Sequence, residues 1–378
     1  MTADAMFFFG TLRDPLTRDA VIGPEAAGLS IRAAVIADAR AHGVKGQDFP
    51  ILIAEDGAQA DGILVTGITA EARARLAFFE GEFGYTLEPR QVTADGQTHE
   101  VEVFIADPAA FETDGPWDFA RWQADQRAGF VRSAAELMRH YGTRPATDAP
   151  VLWNGIRARQ FSATRAADQQ RPAQHRSPFG RADVRVSRHA QPYAHFFSIE
   201  DHTLSHRLHN GGWSAPLERA VLASADAVTV LPWDPVTDRV LLIEQFRPAP
   251  FVRGDQSPWL LEPVAGRMDG LESPEDCARR EAREEAGITL TALEKVNSHY
   301  PSPGTVTEYV TCYIGRADLA RAGGVHGVET EHEDIRSHLL TLAEAEAAVA
   351  SGEIAVGPLI VSLYYLRLHH ARLRAAWG

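Results

Sequence analysis

Glu281, Glu284 and Glu285 stand at i, i+3 and i+4, the spacing that sets three carboxylates on one face of a helix. Like charges that close repel and raise one another's pKa, so the arrangement asks for a cation among them. A hard divalent ion such as Mg²⁺ takes oxygen ligands and is commonly shared with substrate phosphates. The alternative is a solvated acidic face whose glutamates pair with Arg279, Arg280 and Arg283. Two residues upstream favour the metal reading. Gly266 is followed after five residues by Glu272, and after seven more by Arg280-Glu281-Ala282, then Glu284-Glu285 and Gly287-Ile288. Seven specified positions at ordinary residue usage coincide about once in 10⁹.

The elements that must hold these groups are legible. Ser273-Pro274 reads as an N-cap with a first-turn proline, Asp276 lies three residues after the cap, and Gly287 is a C-terminal stop. The spacing predicts a helix over about Pro274 to Ala286. From Val184 onward, AVTVLPW, RVLLIEQF and YVTCYIG read as strands of a mixed sheet, flanked by the carboxylate helix and a C-terminal helix near Pro358 to Ala375.

The first 142 residues alternate short β-like runs (MFFFG, AAVIADA, GILVTGI, EVEVFIA) with helical pattern. The clearest helix there is Thr69 to Glu80, with Ala72, Leu76 and Phe79 at helical spacing and Gly81 beyond. Thr164 to Asp183 is rich in Pro, Ala, Gln and Arg without apolar periodicity and reads as a linker or extended arm; the preceding PVLWNGIRARQFSAT packs as a strand or helix on either neighbour. The expected organisation is a domain over 1–142, an arm over 143–183 and a domain over 184–378.

At 378 residues the chain is long enough for two or three domains, and its 45% hydrophobic and 23% charged content is ordinary for a soluble protein. A net charge of −14 argues against nucleic acid or an anionic membrane as the main partner. The two cysteines, Cys277 and Cys312, form no CxxC, and Cys277 falls inside the predicted helix. Free buried thiols and a reducing compartment are the expectation. The first residues lack the basic region and apolar length of a signal peptide, and no run approaches a membrane span, so the chain reads as cytoplasmic.

The segment Gly266 to Ile288 resembles the Nudix box, the metal-binding loop–helix of hydrolases that cut nucleoside diphosphates linked to another group. WLLEPVAG (259–266), RVLLIEQFRPAP (239–250), YPSPGTVTEYV (300–310) and ETEHEDIRSHLL (329–340) resemble the ADP-ribose pyrophosphatase branch of that family. The resemblance covers about half the chain. It implies an α/β (α+β) protein whose C-terminal half is an α/β/α sandwich with a mixed sheet. It implies Mg²⁺, or Mn²⁺, held by the Ala265 carbonyl with Glu281 and Glu285, and a further ion on Glu284. Glu331 falls on the general base and Glu333 on another metal ligand, two roles that a one-residue slip exchanges. Arg280 orients the glutamates, while Gly266 and Gly287 serve backbone geometry. Arg247 falls on the arginine that grips the diphosphate or terminal ribose, and Glu308 on the carboxylate that accepts ribose hydroxyls. The family's subunits pair by exchanging N-terminal strands. A homodimer is therefore implied, with Phe197 and Arg207 reaching a partner's adenosine pocket; core packing is the other reading of Phe197. The expected reaction takes ADP-ribose to AMP and ribose 5-phosphate. NADH or a sugar nucleotide is the alternative substrate, and a non-catalytic nucleotide sensor is the reading against which the intact glutamate set argues.

FFFGTLRD near the start and LAFFEGEFGYTLEPRQV (76–92) resemble the γ-glutamylcyclotransferase-like (AIG2-like) domains, small β-barrels. In these a Tyr-Gly-Thr/Ser-Leu loop offers backbone N–H groups to a substrate carboxylate, and a glutamate acts as acid and base in ring closure. Gly10, Thr11 and Leu12 fall on the loop and Glu80 on the glutamate, with Phe9 where the tyrosine usually stands. The alternatives for this half are a ligand-sensing or dimer-stabilising module, with Glu80 an exposed carboxylate before a helix-stopping glycine.

Overall fold

The computed structural model describes residues 5–328 and 333–378. The chain divides into two compact units, one built on residues up to Pro172 with Ala194–Phe196, the other on Ala173–Tyr193 and Phe197–Gly378.

The first unit is a closed barrel with helices against it. Its elements run β1 (Ala5–Phe8), α1 (Pro15–Ile22), β2 (Ser30–Val44), β3 (Pro50–Thr66), α2 (Ala70–Glu80), β4 (Tyr85–Ala94), β5 (Gln97–Ala106), β6 (Thr113–Pro116), α3 (Phe119–Asp125), α4 (Arg127–Leu137) and α5 (Ala149–Asp168). The strand order β3-β1-β5-β4-β2 closes by pairing of β2 with β3, and β6 adds to β2. Strand alternation gives β1 two apolar faces. Phe7 joins Ile36, Leu52, Leu64, Val92 and Val103 in a cluster made only of the barrel's own strands and the residues beside them, so that face fills the barrel. Met6 and Phe8 belong to the cluster shared with α1, α2, α4 and α5. The β4–β5 hairpin turns at Asp95 and Gly96, both at positive φ, as a two-residue Asp-Gly turn requires.

Residues 149–168 form a 20-residue helix, so PVLWNGIRARQFSAT takes the helical of its two readings. Its Leu152, Trp153 and Ile156 are buried in the first unit's helical core. Its basic residues are neutralised: Arg157 Nε donates to Asp48 Oδ2 at 2.9 Å and Arg159 Nη2 to Glu136 Oε1 at 2.7 Å, all four groups buried. Interrupting arginines hid the apolar stripe in the sequence, and in the fold they are ion-paired.

The rest of the chain comprises β7 (Val184–Ala194), β8 (Ser198–His206), β9 (Leu217–Ala223), β10 (Ala227–Asp234), β11 (Arg239–Phe246), α6 (Pro248–Arg253), β12 (Trp259–Glu262), β13 (Val264–Arg267), α7 (Pro274–Ala286), β14 (Ala292–His299), β15 (Val310–Arg316), β16 (Gly324–His326), β17 (Ile335–Thr341), α8 (Leu342–Ser351) and α9 (Gly357–Trp377). β7, β8 and β9 form a three-stranded sheet in that order. The main sheet runs β14-β15-β10-β11-β17-β16, with β12 on β11 and β13 on β10, and mixes a parallel β10–β15 pair with antiparallel neighbours. Alternation again decides the layers. Leu241 and Ile243 pack with Cys277, Ala278, Ala282 and Ala286 of α7. Val240 and Leu242 pack with Leu359, Leu363 and Leu366 of α9. The result is a sheet between helices. Among the described residues no helix is long and apolar enough to cross a membrane, and both cysteines are free and buried.

Candidate active site

α7 begins and ends where its sequence places it. Ser273 Oγ accepts from the Asp276 amide at 3.1 Å. At the other end Gly287 adopts φ 63°, and the Gly287 and Ile288 amides return to the Arg283 and Ala282 carbonyls, so the last turn is satisfied by the left-handed cap. The helix lies against β13, and this contact builds the site. The Ala265 amide donates to Glu285 Oε2 at 2.8 Å, with Glu285 only 2% exposed. A Cβ on Gly266 would stand 1.6 Å from Glu281 Oε1. Only glycine leaves room for that carboxylate.

Arg280 gathers the acids. Its Nε and Nη2 each donate to Glu272 at 2.9 Å, and its Nη1 donates to Glu281 at 2.7 Å and to Glu284 at 2.9 Å. The bidentate bond to Glu272 holds the guanidinium charged, well above its ordinary range despite desolvation. Burial pushes Glu281 up to about 7, opposed by Arg280 and reinforced by Glu284 and Glu333. Burial pushes Glu285 up to about 8, opposed by the Ala265 amide and reinforced by Glu281 and Glu333. Glu333, from the segment before β17, also accepts from the Val328 amide at 3.1 Å. Glu281, Glu284, Glu285 and Glu333 are thus brought together. Glu331 lies outside the described residues.

Glu272, Glu281 and Glu284 around the Arg280 guanidinium, with Glu285 and Glu333 beside them, form an all-oxygen donor set with more acids than cations. The donor chemistry fits a hard divalent cation, and the side chain missing from Gly266 leaves Glu281 free to turn toward it.

Arg247 stands beside this cluster and is already engaged. Its Nε and Nη2 form a fork onto Glu262, with Nη2–Oε2 at 2.6 Å. Desolvation lowers its pKa, but that bond and the field of Glu262, Glu285 and Glu333 carry it above the ordinary value. Burial raises Glu308, which feels the Arg247 charge and the repulsion of Asp226. Glu262, 6% exposed, was missed in the sequence. Its signal was a carboxylate within the strand run WLLEPVAG, which burial obliges to find a cation. Phe197 follows β7, just ahead of β8, and is exposed, while Arg207 stacks over Trp213 at 4.5 Å and faces Asp183 at 3.7 Å.

In the first unit Gly10, Thr11, Leu12 and Glu80 line one cavity with Phe9, Phe49, Phe83, Tyr85, Phe130 and Trp153. The sequence is separated by some 70 residues between loop and glutamate, and the barrel joins them. Aromatic walls desolvate the Glu80 carboxyl and push it up to about 7. Tyr85 Oη donates to the Pro50 carbonyl at 3.0 Å, which fixes one wall.

Comparison with known proteins assigns each half. Residues 223–357 match the family model of the NUDIX domain, and residues 6–123 that of "Gamma-glutamyl cyclotransferase, AIG2-like". A curated "ADP-ribose pyrophosphatase" of Escherichia coli (strain K12) is 40% identical over 200 residues, 53% of this chain and 95% of that protein. One from Haemophilus influenzae is 35% identical over 201 residues, 53% of this chain and 93% of its own length. A "GDP-mannose pyrophosphatase" of Escherichia coli O1:K1 / APEC is 37% identical over 154 residues, 40% of this chain and 79% of that protein.

Proposed function

Because this chain belongs to the Nudix hydrolases by its second half, and carries an AIG2-like cyclotransferase domain in its first, we propose that it hydrolyses the diphosphate of ADP-ribose to AMP and ribose 5-phosphate with Mg²⁺ or Mn²⁺. The observation that carries the substrate is the 40% and 35% identity to proteins named ADP-ribose pyrophosphatase along nearly their whole length. The geometry supports the chemistry. The Ala265 carbonyl, Glu281, Glu285 and Glu333 would hold the cation, and Glu284 a further one. A divalent ion bound there supplies charge neutralisation for the diphosphate and makes nearby water a stronger acid.

This chain's own residues do the rest. Arg247, braced through Nε and Nη2 by Glu262, would turn its remaining Nη1 to the diphosphate and orient it. Glu308 accepts ribose hydroxyl hydrogens. Glu331 takes the proton of the water that attacks phosphorus, the P–O–P bridge breaks, and the departing phosphate keeps the bridging oxygen. In a homodimer Phe197 and Arg207 reach the partner's adenosine pocket; a monomeric mass by light scattering with full activity rejects that part.

Steady-state assays over ADP-ribose, GDP-mannose and NADH with Mg²⁺ test the reading. ADP-ribose is expected to give the highest kcat/KM, and Glu285→Gln to lower kcat by at least 10²–10³, the order expected for losing one transition-state electrostatic group. A higher kcat/KM for GDP-mannose, which the 37% relative favours, or for NADH replaces the substrate. For the first half, the shared cavity of Gly10–Leu12 and Glu80 supports binding of a γ-glutamyl ligand, with Glu80 as acid and base. Turnover of γ-glutamyl dipeptides that vanishes in Glu80→Gln makes this half an enzyme; binding without turnover makes it a sensor.

A further inference from the structure

On the β7–β8 hairpin, apart from the glutamate cluster, three metal-ligating side chains converge. Glu200 and His202 are two apart on β8 and so share a face. His189 of β7 reaches the same face, its ring stacked on that of His202 with centroids 4.6 Å apart and planes inclined by 11°. One ligand atom from each of His189, Glu200 and His202 lies within 4.8 Å of the others.

The surroundings orient these groups. Glu200 Oε1 accepts from Gln191 Nε2 at 2.7 Å and from Ser198 Oγ at 2.6 Å. Its Oε2 is left turned to His189 Nε2, with which it is in close contact. This is the outer-shell bracing that fixes a ligating carboxylate. The Nδ1 of His202 is buried with no hydrogen-bond partner among the described residues, a cost that a bound cation relieves.

We propose that His189, Glu200 and His202 form a second metal site, with two imidazoles and one carboxylate, for a borderline-soft divalent ion such as Zn²⁺. Its donors differ in kind from the all-oxygen cluster beside α7. Imidazole suits zinc and its transition-metal neighbours, carboxylates alone suit magnesium. The ion bridges β7 to β8.

The experiment uses the full chain, stripped with chelator and returned to excess Mg²⁺ so that the glutamate cluster is occupied. Zn²⁺ alone is then titrated calorimetrically into wild type, His189→Asn, His202→Asn and Glu285→Gln, and far-UV circular dichroism verifies the fold of each. Wild type and Glu285→Gln are expected to take one equivalent tightly, and both histidine variants to bind it roughly 100-fold more weakly or worse. Zinc-edge X-ray absorption of wild type is expected to carry the scattering of two imidazoles. Equal zinc affinity in folded wild type and histidine variants overturns the site, as does loss of the tight event in Glu285→Gln. Should both histidine variants misfold, the absorption spectrum decides, and a spectrum with no imidazole scattering rejects the proposal.

Discussion

Glu80 and Glu285 are both pushed toward neutrality by burial, one to about 7 among aromatic rings, the other to about 8 among other acids. For Glu80 the stability consequence has a definite sign. The folded state binds its proton more tightly than the unfolded chain, whose value is near 4.5. Its protonated form costs nothing at low pH, and stability falls as pH rises from about 4.5 through 7. Glu80→Gln is therefore expected to stabilise the first unit by about 1–3 kcal/mol at pH 8 and by nearly nothing at pH 4.5, measured by urea unfolding. At this scale the glutamates of α7 were readable because a helix converts i, i+3, i+4 spacing directly into a face. Glu262 and the cavity pairing of Glu80 with Gly10 were harder to read. The first becomes meaningful only through its fork with Arg247, across two strands. The second was legible only by resemblance to a known motif, since no local periodicity links positions so distant.

At the scale of elements, caps carried the legible part. Ser273, Pro274 and Gly287 bound α7 as its sequence promises, and Thr69, read as the first residue of α2, caps it by accepting from the Ala72 amide at 3.0 Å. α5 was read only as far as a strand or helix in front of an arm, because Arg157 and Arg159 interrupt its apolar stripe and find their partners, Asp48 and Glu136, on distant elements. α8 went unread although Thr341 and Glu344 form a capping box, since its run of Ala and Glu has a weak apolar face. If α5 belongs to the core of the first unit, Leu152→Ala should cost about 2–5 kcal/mol there. Thermal unfolding followed by the fluorescence of the tryptophans checks it, and a loss under 0.5 kcal/mol, about what a surface change costs, restores the arm.

For the whole molecule, each buried apolar cluster among the described residues draws on one half of the chain. Those of the barrel and its helices stop at Ile156, and those of the sandwich begin at Val228. Separate cores predict two calorimetric transitions. Mg²⁺ with a slowly hydrolysed ADP-ribose analogue should raise one by mass action, and Glu80→Gln should move the other at pH 8. A single transition that shifts under both treatments contradicts this. Arg280, tied to Glu272, Glu281 and Glu284 at once, has a bearing on how such an enzyme lives with its metal. A resident guanidinium offsets the repulsion among these carboxylates, so the cluster is held together by the chain's own charges. Any cation taken up there would have to share its ligands with an occupant already seated.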